Sequence, residues 1–106
     1  MIDWDRVATL RAEIGEEDFE EVVPLFLEEV SDITTALEAE VDLAALEGNL
    51  HCLKGSAMNL GFFEFSNLCH KGEALASKGS AAEVDVPAIL DCYAQSKAVF
   101  LDGLSI

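Results

Sequence analysis

The sequence predicts an all-α fold: an up-down antiparallel four-helix bundle with a short additional N-terminal helix. Three observations carry this. Apolar residues recur three and four positions apart along most of the chain, which is the period of a helix with one buried face. Capping and breaking residues punctuate that pattern at intervals that suit helices of a few turns. Period-2 alternation, hairpin dipeptides between strand-like runs and internal repeats are not found.

The elements follow in order. Residues 3–14 read as a short helix, with Asp3 as N-cap and Trp4, Val7, Leu10 and Ile14 on one side; Gly15 ends it. Residues 17–40 form a long second helix whose stripe is Phe19, Val22, Val23, Phe26, Val30, Ile33 and Leu37. Pro24 lies inside it and predicts a kink rather than a break, because the stripe keeps phase across it. Asp42 is placed to cap a third helix over 43–60, and Gly61 to stop it. A fourth helix over about 63–78 turns Phe65, Leu68, Cys69, Gly72, Leu75 and Ala76 inward, and Lys78-Gly79-Ser80 stops it. After a loop over 80–85, Asp85-Val86-Pro87 opens a fifth helix. Its stripe is read as Leu90, Tyr93, Lys97, Phe100, Leu101 and Leu104, with Lys97 discordant.

Bulk numbers bound the possibilities. A chain of 106 residues, 51% hydrophobic, is expected to be one domain over 1–106 with a real core. Its formal net charge of −15 argues against binding nucleic acid or an anionic membrane surface. The charge is uneven: residues 1–50 carry fifteen acids and two arginines, residues 51–106 six acids and four lysines. No apolar run is long enough to span a membrane, and no secretory signal follows Met1. Three cysteines, Cys52, Cys69 and Cys92, without close pairing fit a reducing, cytoplasmic setting and a role as small core residues.

The third helix holds the chemistry. Its buried stripe is Leu46, Leu50, Leu53, Ala57 and Leu60, and His51 falls on roughly the opposite side. The residues three and four positions from His51 are Glu47, Gly48, Lys54 and Gly55. Each glycine costs about 1 kcal/mol against alanine inside a helix. Two of them beside one exposed histidine imply a surface cleared for close approach, and Lys54 adds a positive charge one turn away.

The same residues bear on other roles for His51. The leucine stripe already fills the buried face, so a core histidine is disfavoured; an idle surface histidine is the stronger bland reading. Metal binding lacks partners, since His70 is the only other histidine and no His or Cys lies three or four residues away. A nucleophile triad through Ser56 fails because that side chain diverges from His51 by roughly 140°. A phosphate-accepting histidine needs an exposed ring held in one tautomer, a nearby cation and a smooth surface, and the stretch meets all but the tautomer requirement.

His51-x-x-Lys54-Gly55-Ser56, then Gly61, then Leu68-Cys69-x-x-x-Glu73 resembles the signature of the histidine-containing phosphotransfer (HPt) domains of multistep phosphorelays. Ile2-Asp3-Trp4 and Phe26-Leu27-Glu28-Glu29 resemble that family too. The match covers nearly the whole chain and has no gap between His51 and Glu73. The resemblance implies five helices, with His51 exposed mid-bundle and taking a phosphoryl group from an aspartyl phosphate on one receiver domain to pass it to another. It implies no kinase activity, no cofactor bound by this chain and Mg²⁺ held by the receiver. The partners would be receiver domains of response regulators or hybrid histidine kinases.

Within that resemblance Lys54 would stabilise the phosphoryl charge, Gly55 would keep the approach clear, and Gly61 would end the helix. Glu73 matches a position where many members carry a residue, often glutamine, that hydrogen-bonds the histidine ring. Glutamate would accept from Nδ1–H and leave Nε2 to attack; the alternative is a solvated helix residue. Met58, with Gly48 and Lys71, would contact the partner, and either Phe62 or Phe63 would join them. Lys71 also reads as a plain surface lysine and His70 as peripheral. The rival functions are a helical interaction module that carries no phosphate and the excised phosphoacceptor domain of a chemotaxis-type kinase. The start at Met1 and the end soon after the fifth helix favour a free-standing carrier, expected to be monomeric.

Overall fold

The computed structural model describes residues 1–104. Five α-helices account for most of them: α1 (Trp4–Ile14), α2 (Glu16–Ala39), α3 (Leu46–Leu60), α4 (Phe63–Ser77) and α5 (Val86–Leu104). One 3-10 turn, Ala81–Glu83, precedes α5 within the expected loop. Helices α2, α3, α4 and α5 pack in sequence, and α2 closes on α5, which makes the four-helix bundle. The short α1 packs on α2 and α3. Among the described residues no helix is long and apolar enough to cross a membrane.

The helix ends follow local chemistry. Asp3 Oδ1 accepts from the backbone N–H of Arg6, capping α1. Gly15 ends α1 and leads directly into α2. Pro24 sits inside an unbroken α2 on its exposed side, so the Glu20 carbonyl that lacks a proline N–H faces water. Helix α3 begins at Leu46, three residues later than the sequence predicts. Asp42 Oδ1 accepts from Ala44 N–H at 3.0 Å and its backbone carbonyl from Ala45 N–H at 3.1 Å, so the aspartate closes a turn over 43–45 ahead of the helix.

The α3–α4 connection sets the site. Gly61 adopts φ 78° and ψ 20°, the left-handed conformation, and Phe62 N–H bonds back to Ala57 O at 2.9 Å. This Schellman closure reverses the chain within two residues. A Cβ on Gly61 would lie 2.6 Å from Asp3 O, so glycine is also required by the N-terminal segment crossing there. Phe62 is buried and packs edge-on against Phe100 at 5.1 Å, while Tyr93 joins both Phe62 and Phe65.

Helices α3 and α4 are the closest pair in the bundle. Gly72 explains their approach: a Cβ there would stand 2.8 Å from Leu50 Cδ1 and 3.1 Å from Val84 Cγ1. The core is built from the buried faces of all five helices, with Leu46, Leu50, Leu53, Ala57 and Leu60 on α3 as expected.

Two stripes are phased differently from the sequence reading. On α2, Leu27 and Thr34 are buried while Val22, Phe26 and Ile33 are half-buried. On α5 the inward residues are Val86, Ile89, Tyr93, Ser96 and Phe100; Leu90, Lys97 and Leu104 flank them and Leu101 is exposed. Tyr93 explains the second shift. Its hydroxyl, 2.9 Å from Ser31 Oγ, reaches Leu27 O at 3.4 Å and ties α5 to α2 on that face. Lys97 is therefore no intrusion on the core. On α4, Ser66 is buried, and Leu68, Leu75 and Ala76 are half-buried.

Candidate functional site

His51 stands on the exposed face of α3 with its side chain 70% accessible. The antiparallel α3–α4 hairpin brings Glu73 opposite it, with Phe62 midway between them in sequence. Gly72 lets Leu50 nest against α4, so the residues that follow each, His51 and Glu73, come into reach. His51 Nδ1 lies 2.9 Å from Glu73 Oε1. A carboxylate only accepts, so Nδ1 carries the hydrogen and Nε2 is the nitrogen with the free lone pair in the neutral ring.

Lys54, one turn along α3, completes the cluster. Its Nζ lies 2.8 Å from Glu73 Oε2. The ammonium is the one partner that oxygen has among the described residues, and the contact is a close ion pair rather than an aligned hydrogen bond. Glu73 thus spans both cationic partners, and its side chain is only 20% exposed. Lys54, then His51, hold its carboxyl below the usual glutamate range of about 4.5, against a smaller opposing effect of desolvation. The carboxylate is charged at neutral pH, and Lys54 neutralises it locally.

The two glycines beside His51 behave unlike Gly72. A Cβ added at Gly48 or Gly55 would meet nothing within 4 Å. Among the described residues no close contact demands glycine at either position, although each costs about 1 kcal/mol against alanine inside a helix. Met58 is exposed, and of the two phenylalanines Phe63 faces out while Phe62 is core. Lys71 is exposed on α4, and no ion pair or hydrogen bond joins it to His51, Lys54 or Glu73. Ser56 is half-buried, and the hydrogen bond of the ring goes to Glu73 instead.

Other sequence expectations change. Cys52, next to His51, is exposed rather than core. Cys69 is buried, and burial, with Cys92 and Glu73 adding, pushes its thiol up to about 12. His70 is exposed but lines a groove together with Lys54, Met58 and Phe63. Arg6, Asn59 and Asn67 line the same groove and were not singled out by sequence, since nothing in their spacing links α1 to the α3–α4 hairpin. Among the described residues, no group of three or more His, Cys, Asp or Glu is placed to hold a metal ion.

A family model described as Hpt domain matches residues 21–99, which span most of α2 and α5 and all of α3 and α4. Comparison with curated proteins and with solved structures gave no match.

Proposed function

We propose that this chain, which belongs to the Hpt domain family of two-component signalling, carries a phosphoryl group on Nε2 of His51. Hpt domains are phosphocarriers rather than kinases. The observation that supports His51 as the acceptor is the 2.9 Å contact from Nδ1 to Glu73 on a ring left 70% exposed. A carboxylate held there fixes the tautomer and the ring plane together.

In the proposed step the Nε2 lone pair attacks phosphorus of an aspartyl phosphate on a receiver domain. The N–P bond forms as the P–O bond to the aspartyl carboxylate breaks, and that carboxylate leaves with the bonding pair. The imidazole gains positive charge, which Glu73 offsets through the Nδ1–H bond. The receiver brings Mg²⁺ and the groups that stabilise the transferring phosphoryl; this chain supplies an oriented nucleophile. Transfer onward to another receiver aspartate is the same step in reverse.

Lys54 has a double part. At rest it neutralises Glu73, so the carboxylate does not repel an incoming phosphoryl group; during transfer its ammonium is one turn from the site of new negative charge. Gly48 and Gly55 leave the approach open, and Met58 and Lys71 stand on the surface a partner meets. The receiver partners belong to response regulators or hybrid kinases.

Incubating the protein with phosphorylated receiver domains and Mg²⁺ tests this. Acid-labile, base-stable label on wild type and none on His51→Gln is the expected result. No uptake by wild type across a panel of receivers would overturn the carrier reading, and uptake by His51→Gln would overturn the assignment of the residue.

A further inference from the structure

Phosphorylation would leave His51 with phosphorus on Nε2 and hydrogen on Nδ1, and so with a full positive charge on the ring. The fate of that hydrogen governs how the bond to phosphorus breaks. In hydrolysis a water oxygen bonds to phosphorus, the Nε2–P bond breaks and its electron pair returns to Nε2. While Nδ1 keeps its hydrogen, the products are a neutral imidazole and dihydrogen phosphate. Once Nδ1 has lost it, the same step expels an imidazolide anion, a far poorer leaving group. Phosphorus on an ordinary histidine is therefore labile in acid and stable in base.

Few charged groups face the ring. On α3, Glu47 and Lys54 lie one turn to either side of it, and Glu47 is exposed. On α4, Glu73 Oε1 is 2.9 Å from Nδ1, whereas His70 and Lys71 are exposed and bonded elsewhere than to the ring. Helices α1 and α2 also pack on α3, and among the described residues neither gives the ring a hydrogen bond or an ion pair. Glu73 is thus the charged partner that touches Nδ1. Its side chain is 20% exposed, so water screens its charge less than that of Glu47. Lys54 holds the other carboxylate oxygen by charge without an aligned hydrogen bond, so its ammonium can turn to new phosphoryl oxygens without breaking a directed contact.

We infer that Glu73 retains the hydrogen on Nδ1 after phosphorus is bound to Nε2, and so keeps the phosphorylated ring reactive well into the alkaline range. The inference rests on the phosphocarrier reading. Loss of the hydrogen would replace a charge-assisted hydrogen bond by a carboxylate facing a lone pair, which the anion opposes. A neutral acceptor in the same place opposes it less. The folded protein then holds a short-lived phosphohistidine at alkaline pH, where an ordinary one persists. Onward transfer to a receiver aspartate breaks the same N–P bond and keeps its rate over the same range. Unfolding takes Glu73 away from the ring, so label on the unfolded chain regains ordinary base stability.

Protein phosphorylated with phosphoramidate, a small donor that needs no receiver, tests this. First-order loss of label is followed from about pH 6 to about pH 10 in folded wild type, in Glu73→Gln and in wild type unfolded in urea. Glu73→Gln keeps an acceptor for Nδ1–H and removes the charge. In each sample the rate should fall by about tenfold per pH unit once Nδ1 has lost its hydrogen. That fall should begin about one pH unit or more higher in folded wild type than in the other two, so that at the alkaline end wild type loses label about tenfold faster or more. The ¹⁵N shift of Nδ1 in the phosphorylated protein reads the hydrogen directly and should move over the same pH ranges. A purely structural part for Glu73 would change the rates without moving these transitions. Melting temperatures check the fold of Glu73→Gln, and the urea reference does not depend on it.

Transitions at the same pH in folded wild type, Glu73→Gln and the unfolded chain overturn the inference alone. A label that outlasts that of Glu73→Gln at the alkaline end does the same. Wild type that takes label from neither phosphoramidate nor phosphorylated receivers overturns the phosphoacceptor reading, and the inference falls with it.

Discussion

His51 Nδ1 and Glu73 Oε1 lie 2.9 Å apart across two helices, 22 residues distant in sequence. Lys54 Nζ holds the other oxygen of the same carboxylate at 2.8 Å. One acidic side chain therefore links the ring and the cation, and each can be tested through it.

Glu73→Gln keeps a carbonyl oxygen to accept from Nδ1–H but removes the charge and the Lys54 ion pair. Glu73→Ala removes both functions. Receiver-dependent transfer should fall about 10- to 100-fold in Glu73→Ala, as for loss of other ring-orienting partners, and by much less in Glu73→Gln. Single-turnover rates check this. Equal losses in the two variants would show that charge, not ring orientation, is what Glu73 supplies.

The depressed Glu73 carboxyl predicts a pH signature with a definite sign. Its folded value lies below the ordinary 4.5, with Lys54 the first cause and His51 the second. The stability it contributes is therefore present above about pH 4.5 and is lost as pH falls through the folded value. The melting-temperature advantage of wild type over Glu73→Gln should be present at pH 7 and shrink by pH 3. An advantage that grows on acidification would contradict the assignment.

The glycines separate inward from outward constraint. Gly72→Ala drives a Cβ against Leu50 and Val84 and should destabilise by about 1–3 kcal/mol, as overpacking does. Gly55→Ala meets open space and should stabilise the helix by up to about 1 kcal/mol. A longer side chain, Gly55→Gln, should leave the protein at least as stable yet slow transfer from receivers by about tenfold or more, because a small misplacement of the reacting groups is costly. Denaturant midpoints and transfer rates measured on the same samples distinguish the two behaviours.

Much of this arrangement was legible in the sequence, for reasons that also explain what was not. The leucine stripe of α3 fixes its buried face by period alone, so the exposure of His51 followed directly. Glu73 was reachable only through the family resemblance, because contact between α3 and α4 depends on the tight reversal at Gly61 and on Gly72 admitting Leu50. The pairing of Lys54 with Glu73 was not foreseen, since spacing on one helix does not reveal a partner on the next. The stripe of α5 was misphased because Leu90 and Leu101 are as apolar as Ile89 and Phe100, and the Tyr93 hydroxyl bonds that set the rotation are tertiary. Arg6 was missed because the crossing of α1 over Gly61 is not written in any local pattern.

The thiols give an independent check on burial. Cys52 is exposed beside His51, whereas Cys69 is buried and its thiol is pushed up to about 12. Iodoacetamide at pH 8 should alkylate Cys52 first and leave Cys69 unmodified in the folded protein, because the thiolate is the reactive form. Peptide mapping by mass spectrometry reads the order. Cys69 reacting as fast as Cys52 would contradict the packing of α4.

The most direct test of the central claim is which ring nitrogen carries phosphorus. Protein labelled with ¹⁵N in histidine, phosphorylated by a receiver and examined by ³¹P–¹⁵N correlation, reports the bonded nitrogen. With Nδ1–H held by Glu73, the account predicts phosphorus on Nε2 of His51. Phosphorus on Nδ1, or on His70, would contradict it.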